Sequence, residues 1–344
     1  MSSPAPTAVR AWADGVAVLS TGDVRIPLYQ KGESRPRLDD QRYRGAAGEP
    51  SLRAAIAEHN RLDPAALLVT PGARQALLLA FATLPADRRE VIMTAPYWAS
   101  YAPLAQAVGV QVRVVADLRG SVRPETGAVL VNSPRNPDGA VLSSDEVADL
   151  VAWTASGGVR LIFDQVYRGV PLPGPVPASP LDGGMLPEHC LVVDGLSKSH
   201  ALAGLRIGWL AAASELLTPA SGLASHLIGG TSSAAQDIAL AALSWPSADR
   251  AAVGEQLAAN RDYGVQRLSA VAGVECPTPA GGIFLFPRVP IRDDLVGWLE
   301  REHAVAVVAG GAFGAPDHIR LSYAMDSDQF RVGVDRLTAA LDSG

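Results

Sequence analysis

A lysine that could react with an aldehyde lies in the stretch from Gly195 to Trp209. Lys198 follows a short apolar run typical of a buried strand, and Arg206 comes eight residues later. Burial and a nearby cation both disfavour an ammonium group, so a lysine in such a place loses its proton easily. A neutral lysine amine can form a Schiff base with an aldehyde cofactor. A surface lysine in a turn is the alternative interpretation.

Two further polar groups follow apolar runs of the same kind. Asp164 comes directly after the run RLIF, with Tyr167 three residues on, and Asn136 lies in a turn after AVLV. A buried carboxylate can bind the ring N–H of pyridoxal phosphate, and Tyr167 and Asn136 could both reach its phenolic oxygen. Ordinary turns remain the alternative, because Asn-Pro and Asp-Gly are common turn sequences.

Anion-binding and stacking groups are also present. The sequence TPGARQ opens an apolar helix whose free N–H groups could bind a phosphate, with Arg74 adding charge. Trp98 could stack on an aromatic ring, or it is a core tryptophan. Arg320 lies in a short apolar strand, where a substrate carboxylate would be a bidentate partner. An internal salt bridge is the alternative for Arg320.

The elements that must position these groups alternate between strands and helices from about residue 50 to 212. The predicted strands are Val91–Thr94, Val112–Val115, Ala128–Val131, Arg160–Phe163, Leu191–Val193 and Ile207–Ala211. The predicted helices include Ser51–Asn60, Ala73–Leu84 and Ser144–Ala155, with a long helical region from Ser232 to Ala270. This alternation predicts an α/β fold with a mainly parallel sheet covered on both faces. Ligands of such sheets bind beyond the carboxyl ends of the strands.

Composition excludes several classes of protein. The chain has 344 residues, of which 48% are hydrophobic and 19% charged, as in a globular protein and unlike a disordered one. The net charge of −6 and the lack of a basic run argue against nucleic-acid binding. Two cysteines exclude a disulfide framework and a cysteine-rich metal site. No apolar stretch reaches the length of a membrane span, and no signal sequence is visible, so we expect a cytoplasmic protein.

Together these residues resemble the class I/II aminotransferase family, the fold-type I pyridoxal-phosphate enzymes. The resemblance runs from about Tyr43 to Tyr323 in the order typical of the family. Single motifs are weak, but the ordered set is specific. It comprises Gly72-Ala-Arg, Pro96-Tyr-Trp, Asn136-Pro, Asp164-x-x-Tyr167, Ser-Lys198 with Arg206, and Arg320.

The resemblance implies a role for each matching residue. Lys198 would be the Schiff-base lysine and proton shuttle, Asp164 would bind the pyridine nitrogen, and Arg320 the substrate α-carboxylate. The remaining cofactor contacts would come from Asn136 and Tyr167 at the phenolic oxygen, Trp98 on the ring, and Ala73, Arg74, Ser197 and Arg206 at the phosphate. Tyr43 matches a tyrosine that reaches the phosphate of the partner subunit, which implies a homodimer. Thr231 falls where family members also contribute across the dimer.

The pattern along the chain also predicts two domains, because strands and helices alternate again after Gly273. A large cofactor-binding domain, a three-layer αβα structure with a mainly parallel sheet, is expected over residues 44–230. Residues 1–43 and 231–344 would form a smaller α/β domain.

The sequence departs from the family pattern at several points. Gly195 stands where a phosphate-binding Ser or Thr is usual, and Arg74 replaces another such residue. His200 lies close to the lysine and is either a second acid/base group or, more simply, a packing residue. The substrate-covering glycine segment that usually lies about thirty residues before the tyrosine is shortened, with candidates at Val24–Leu28 and Gly32–Ser34. The substrate-facing wall is therefore not assignable from sequence.

The expected function is amino transfer between an amino acid and a 2-oxo acid. A related cyclase, lyase or oxidase similar to capreomycidine synthase, which needs no 2-oxo acid, is the alternative. A non-catalytic ligand sensor on the same fold is disfavoured, because the lysine is present and no DNA-binding pattern precedes the fold. A nicotinamide-dependent dehydrogenase is excluded by the lack of a Gly-x-Gly-x-x-Gly motif after the early strands.

Overall fold

The computed structural model describes residues 15–26, 44–245, 247–290 and 292–343. In these ranges the strands are β1 Ala17–Val18, β2 Leu67–Thr70, β3 Glu90–Met93, β4 Gln111–Val114, β5 Thr126–Asn132, β6 Arg160–Asp164, β7 Cys190–Gly195, β8 Gly208–Ala212, β9 Phe284–Leu285, β10 Val305–Ala306, β11 Val308–Ala309 and β12 Ile319–Ser322. The α-helices are α1 Pro50–Asn60, α2 Ala73–Ala82, α3 Tyr101–Gln106, α4 Ser144–Ser156, α5 Leu196–Ser199, α6 Ser214–Leu227, α7 Ser233–Leu243, α8 Ser247–Ser269, α9 Leu295–His303 and α10 Ser327–Ser343. Within the described ranges, no helix is both long and apolar enough to cross a membrane.

Seven strands form the central sheet, in the order β2-β8-β7-β6-β5-β3-β4. The neighbours from β4 through to β7 are all parallel, whereas β8 runs antiparallel to both β7 and β2. The predicted mainly parallel α/β sheet is confirmed. The inner strands β6 and β7 contain nearly unbroken apolar runs because both faces of such a sheet are covered by helices.

The two faces of the central sheet are buried in separate apolar cores. In β7, Leu191 and Val193 pack into a core with helices α2 and α6, while Cys190 and Val192 pack on the opposite face with α1 and α4. This alternation follows the two-residue repeat of a strand. Helix α2 is buried because it is apolar nearly all round, as the sequence predicts. The result is the expected three-layer αβα arrangement.

A second unit packs against the carboxyl edge of the central sheet. It contains the antiparallel sheet β11-β12-β9, the parallel pair β1-β10, and helices α8, α9 and α10. A short segment after β1, from Leu19 to Arg25, runs beside β12. At its two ends, Ser322 N donates to Leu19 O and Arg25 N donates to Ala324 O. These bonds bring the N-terminal segment next to Arg320.

Some elements differ from the sequence-based prediction. Strand β2 and helices α3 and α6 were not predicted, because they are short or lack a clear periodicity. The long helical region after Ser232 is divided into α7 and α8. Helix α7 packs on α1, and Gln236 Oε1 accepts a hydrogen bond from Glu49 N at 2.7 Å. The division into domains stays a prediction, and these contacts favour a boundary after Leu243.

Candidate active site

One cavity of about 450 Å³ lies between the carboxyl edge of the central sheet and the second unit. Every site residue predicted from sequence that the structure describes lines this cavity, namely Ala73, Arg74, Trp98, Asn136, Asp164, Tyr167, Ser197, Lys198, Arg206 and Arg320. Tyr43 lies outside the described residues. The convergence follows from topology, because β5, β6 and β7 are parallel neighbours and end at the same edge.

Lys198 is a half-buried amine in α5, the single turn of helix that follows β7 directly. Its Nζ donates to Gly22 O at 2.5 Å. Burial lowers the pKa of Lys198 to about 8, the Asp23 carboxylate opposes this shift, and the guanidinium groups of Arg320, Arg74 and Arg206 add to it. A substantial fraction of the amine is therefore neutral in mildly alkaline solution, as a nucleophile or base requires.

Asp164 ends β6 and is a buried carboxylate, with 3% of its surface exposed. Its Oδ2 accepts a hydrogen bond from Tyr101 Oη at 2.8 Å, and its Oδ1 accepts one from Val166 N at 3.1 Å. Burial raises the pKa of Asp164 to about 6, and these two donors hold it from rising further. Among the described residues no cationic side chain forms an ion pair with it, so the site suits a ligand with a protonated ring nitrogen.

A hydrogen-bonded chain links three of the predicted residues. Arg320 Nη1 donates to Asn136 Oδ1 at 3.0 Å, and Asn136 Nδ2 donates to Tyr167 Oη at 3.3 Å. Asn132 positions this chain, because its Oδ1 accepts from Asn136 N at 2.7 Å and its Nδ2 donates to Asp164 O at 2.9 Å. Tyr167 accepts in this chain, so its own hydroxyl proton is free to point at a ligand oxygen.

Arg320 is a buried cation, 5% exposed, in the middle of β12. Its guanidinium lies 4.1 Å from the ring centroid of Phe284 and 4.8 Å from that of Phe313. Burial lowers the pKa of Arg320 to about 10. No carboxylate within the described ranges forms an ion pair with it, so the internal salt bridge considered from sequence is not present there. A buried guanidinium without an anion is costly, which makes a carboxylate ligand its natural partner.

The first turn of α2 and two arginines form an electropositive corner of the cavity. Gly72, the N-cap, has φ +86°, and a Cβ there would lie 2.4 Å from Arg206 Nη2, so glycine lets the arginine approach. Among the described residues, Arg206 donates to the carbonyls of Ala203 and Pro71 and to no side chain. Burial lowers the pKa of Arg74, and the charge of Arg206 adds to this shift. The Cζ of Arg74 lies 5.1 Å from the ring centroid of Trp98. Two cations at a helix N-terminus suit a dianionic phosphate.

Several residues that sequence reasoning missed also contribute to the cavity. Tyr101 supplies the hydroxyl bonded to Asp164, and its only sequence signal is its position three residues after Trp98. The glycine next to Lys198 is Gly22. It precedes Val24–Leu28 and Gly32–Ser34, the two candidates for the substrate-covering segment. Thr21 and Asp23 line the cavity on either side of it.

Two residues singled out from sequence lie outside the cavity lining. His200 is buried and packs against Trp245, with a ring-centroid distance of 5.6 Å, which supports its interpretation as a packing residue. Thr231 Oγ1 donates to Val69 O at 3.3 Å within the same chain.

Comparison with known proteins decides the family. The family model for aminotransferase class I and II matches residues 35–337. The chain belongs to this family. An aspartate aminotransferase of Streptomyces avermitilis is 33% identical to it, over 93% of this chain and 86% of the relative. An aspartate/prephenate aminotransferase of Thermus thermophilus is 32% identical, over 93% and 89%. The crystal structure of the aspartate aminotransferase of Thermotoga maritima superposes with a TM-score of 0.85 at 28% identity, covering 95% of this chain and 92% of that one.

This aminotransferase uses pyridoxal 5'-phosphate and acts on an amino acid and a 2-oxo acid, as the family does. The residues of the cavity fit that cofactor. Arg74 and Arg206 have no acidic partner among the described residues, Asp164 has no cationic one, and Lys198, whose pKa is lowered, lies in the same cavity. These groups match the phosphate, the ring nitrogen and the aldehyde respectively. The relatives are named aminotransferases, and none of them supports the cyclase, lyase or oxidase alternative.

Proposed function

We propose that Lys198 binds the cofactor and moves the proton at the substrate Cα, while Arg320 binds the substrate α-carboxylate. The observation that carries this proposal is the placement of both cations in one cavity, with no ion-paired acid among the described residues. The amine and the carboxylate of one amino acid would occupy these two places. The substrate would then be held at two points, which fixes the orientation of the bond between Cα and its hydrogen.

When bound, pyridoxal phosphate supplies an electron-withdrawing ring that stabilises negative charge on the substrate Cα. Asp164 accepts the hydrogen bond of the ring N–H and keeps that nitrogen protonated. Lys198 acts as the general base that takes the proton from Cα, and its lowered pKa suits this task. Asn136 and Tyr167 direct their donors at the phenolic oxygen. Trp98 packs on the ring.

The phosphate is held by the electropositive corner described above. The N–H groups of Ala73 and Arg74 begin α2, and no acidic residue lies in its first turn. The guanidinium of Arg206, the side chain of Arg74 and the hydroxyl of Ser197 complete the set. Arg74 then supplies by charge what a Ser or Thr supplies by a hydrogen bond elsewhere in the family.

A homodimer in which Tyr43 reaches the partner's phosphate is part of the proposal and is supported by the family resemblance alone. Sedimentation of the purified protein, with and without cofactor, tests it. A monomer at micromolar concentration would contradict it. A cytoplasmic location likewise stays a prediction.

The visible absorption of the purified enzyme tests the proposed function. Adding single amino acids without a 2-oxo acid is expected to convert the aldehyde form of the cofactor to its amine form once and then stop. Adding a 2-oxo acid should restore the first spectrum. Repeated turnover without an acceptor would instead indicate a cyclase, lyase or oxidase.

Two variants test the assigned roles in the same assay. Lys198→Ala should still bind the cofactor weakly and lose turnover. Asp164→Asn should keep the cofactor and slow proton removal from Cα by roughly a hundredfold or more, within the range of acid–base contributions. Turnover near the wild-type rate in either variant would refute that residue's assignment.

A further inference from the structure

A short segment of the N-terminal region, residues 20–23, crosses the cavity between the two proposed substrate-binding cations. Gly22 O lies 2.5 Å from Lys198 Nζ, and Ser20 O lies 3.4 Å from Arg320 Nη2. The segment therefore spans from the place of the amine to the place of the carboxylate. A substrate held at both points has its Cα beside this segment, an argument that rests on the function proposed above.

Thr21 contributes a hydroxyl that has no hydrogen-bond partner among the described residues. The residue is 6% exposed and lines the cavity, and its Oγ1 is buried without a hydrogen bond. Leaving a buried hydroxyl unsatisfied costs free energy, and folded proteins rarely do so. A ligand group in the cavity would satisfy Thr21.

Asp23 contributes a negative charge to the same wall. It lines the cavity, and within the described ranges it accepts no hydrogen bond and forms no ion pair. Its carboxylate is close enough to Lys198 to be the largest charge effect on that amine. A half-buried carboxylate facing a ligand site attracts a cationic or hydrogen-donating group and repels a second carboxylate.

The cations of the cavity are not available to bind a side-chain carboxylate of the substrate. The basic residues that line it are Arg74, Arg206, Lys198 and Arg320, and the proposed function engages all four. Within the described part of the chain, no further basic side chain lines the cavity to bind a side-chain carboxylate. The described part of the wall beside the substrate Cα therefore carries the negative charge of Asp23.

We propose that Thr21 and Asp23 form the side-chain subsite, and that it selects amino acids whose side chain carries an amine or a guanidine. The Thr21 hydroxyl and the Asp23 carboxylate both accept hydrogen bonds from such a group. A dicarboxylic amino acid would instead place its second carboxylate against Asp23. The preference differs from that in the names of the aspartate aminotransferases to which the chain is similar.

Amino acids that carry a methyl group on Cα test the subsite without turnover, because they have no proton there to lose. Calorimetry would compare α-methylornithine, α-methylaspartate and 2-aminoisobutyrate on the cofactor-loaded wild-type enzyme. We expect the ornithine derivative to bind at least tenfold more tightly than the other two. Equal or tighter binding of the aspartate derivative would overturn the proposal.

The variant Asp23→Asn separates two effects of the Asp23 charge, namely binding of the ligand side chain and the electrostatic effect on Lys198. The effect on Lys198 acts equally on all three ligands, whereas side-chain binding concerns the ornithine derivative alone. We expect Asp23→Asn to weaken the ornithine derivative about tenfold to a hundredfold, as for a hydrogen bond to a charged group, and to leave 2-aminoisobutyrate within about threefold. The isosteric Thr21→Val should weaken the ornithine derivative alone, by about threefold to tenfold. Equal weakening of all three ligands would overturn the subsite.

Turnover assays distinguish a failure of this subsite from a failure of the proposed function. The substrates are L-ornithine, L-arginine, L-alanine and L-aspartate. If no amino acid is converted, the proposed function fails, while the binding order still reports on the subsite. If L-aspartate is converted best and α-methylaspartate binds best, the subsite fails and the aminotransferase function stands.

Discussion

At the scale of single residues, the cavity holds charges that no other described side chain neutralises. Asp164 and Arg320 are both nearly fully buried, and neither forms an ion pair with another described side chain. Burying a lone charge is costly, so such groups are expected where a ligand supplies the opposite charge. The cavity is in this sense built for a ligand with a ring cation and a carboxylate.

Tyr101 is a positioning residue for Asp164, and its removal has a pH-dependent signature. The hydroxyl bond at 2.8 Å favours the ionised carboxylate, so Tyr101→Phe raises the pKa of Asp164. The acid limb of kcat/KM should therefore move upward by about one pH unit or more. Tyr263→Phe is the matched control, because it loses a similar bond to Asp335 at 2.7 Å away from the cavity. An unmoved acid limb in Tyr101→Phe would contradict this role.

Arg74 is expected to bind the phosphate through its charge. Arg74→Ala should weaken cofactor binding about tenfold to a hundredfold, the size of one charge-assisted hydrogen bond. Arg74→Lys keeps the charge on a similar stem and should retain most of the affinity. Fluorescence titration of the cofactor-free enzyme measures both. The assignment fails if Arg74→Ala binds the cofactor as tightly as the wild type.

At the scale of elements, short helices place the reactive groups and longer ones stabilise the sheet. Helix α5 is a single turn that presents Lys198 beyond β7, and the N-terminus of α2 faces the phosphate corner. Helix α4 covers the opposite, outer side of the sheet and is closed by a capping box. Ser143 Oγ accepts from Glu146 N, and Glu146 Oε2 accepts from Ser143 N at 2.8 Å.

The capping box allows a test of stability that leaves activity intact. Ser143→Ala should lower the free energy of unfolding by about 1 kcal/mol, because the first turn of α4 loses its cap. Urea denaturation measures the loss, and kcat should stay unchanged since α4 does not line the cavity. Ser156→Ala, an exposed serine in the last turn of the same helix, is the control and should cost less than about 0.5 kcal/mol. Equal losses in the two variants would argue against the cap.

At the scale of the whole molecule, one buried histidine connects the two packing units. Arg250 of α8 donates from Nη2 to Gly169 O at 2.8 Å, and its Nη1 lies 3.2 Å from His200 Nε2. An arginine only donates, so Nε2 accepts and Nδ1 carries the proton, which it donates to Ser199 Oγ at 2.9 Å. The bridge therefore requires a neutral imidazole next to the turn that carries Lys198.

This histidine makes stability depend on pH in a defined direction. Burial, with the charge of Arg250, lowers the pKa of His200 to about 3, from 6.5 in the unfolded chain. Between these values the unfolded chain binds one proton more than the folded one. The contribution of His200 to stability is therefore complete above pH 6.5 and is lost as the pH decreases towards 3, by up to about 1.4 kcal/mol per pH unit.

The variant His200→Gln should remove this dependence. Between pH 7 and pH 5.5, the wild type should lose about 1 kcal/mol more unfolding free energy than the variant, measured by urea denaturation. The exposed His226 supplies the control, since His226→Gln should keep the wild-type dependence. If His200→Gln loses stability with falling pH as steeply as the wild type, the bridge does not need a neutral ring.

The amino-acid sequence by itself determined the class of fold and most of the candidate site, because both depend on local order. Apolar runs followed by Asn136, Asp164 and Lys198 predict parallel strands that end at one edge, and the structure brings these residues together there. Contacts between distant segments leave no such local signal. Tyr101 becomes a partner of Asp164 only when α3 packs against α2 and β4. Thr21 and Asp23 enter the cavity only when their segment lies along β12. The tertiary structure alone decided the wall that faces the substrate side chain, because that wall is built from segments about 300 residues apart, such as Ser20 and Arg320.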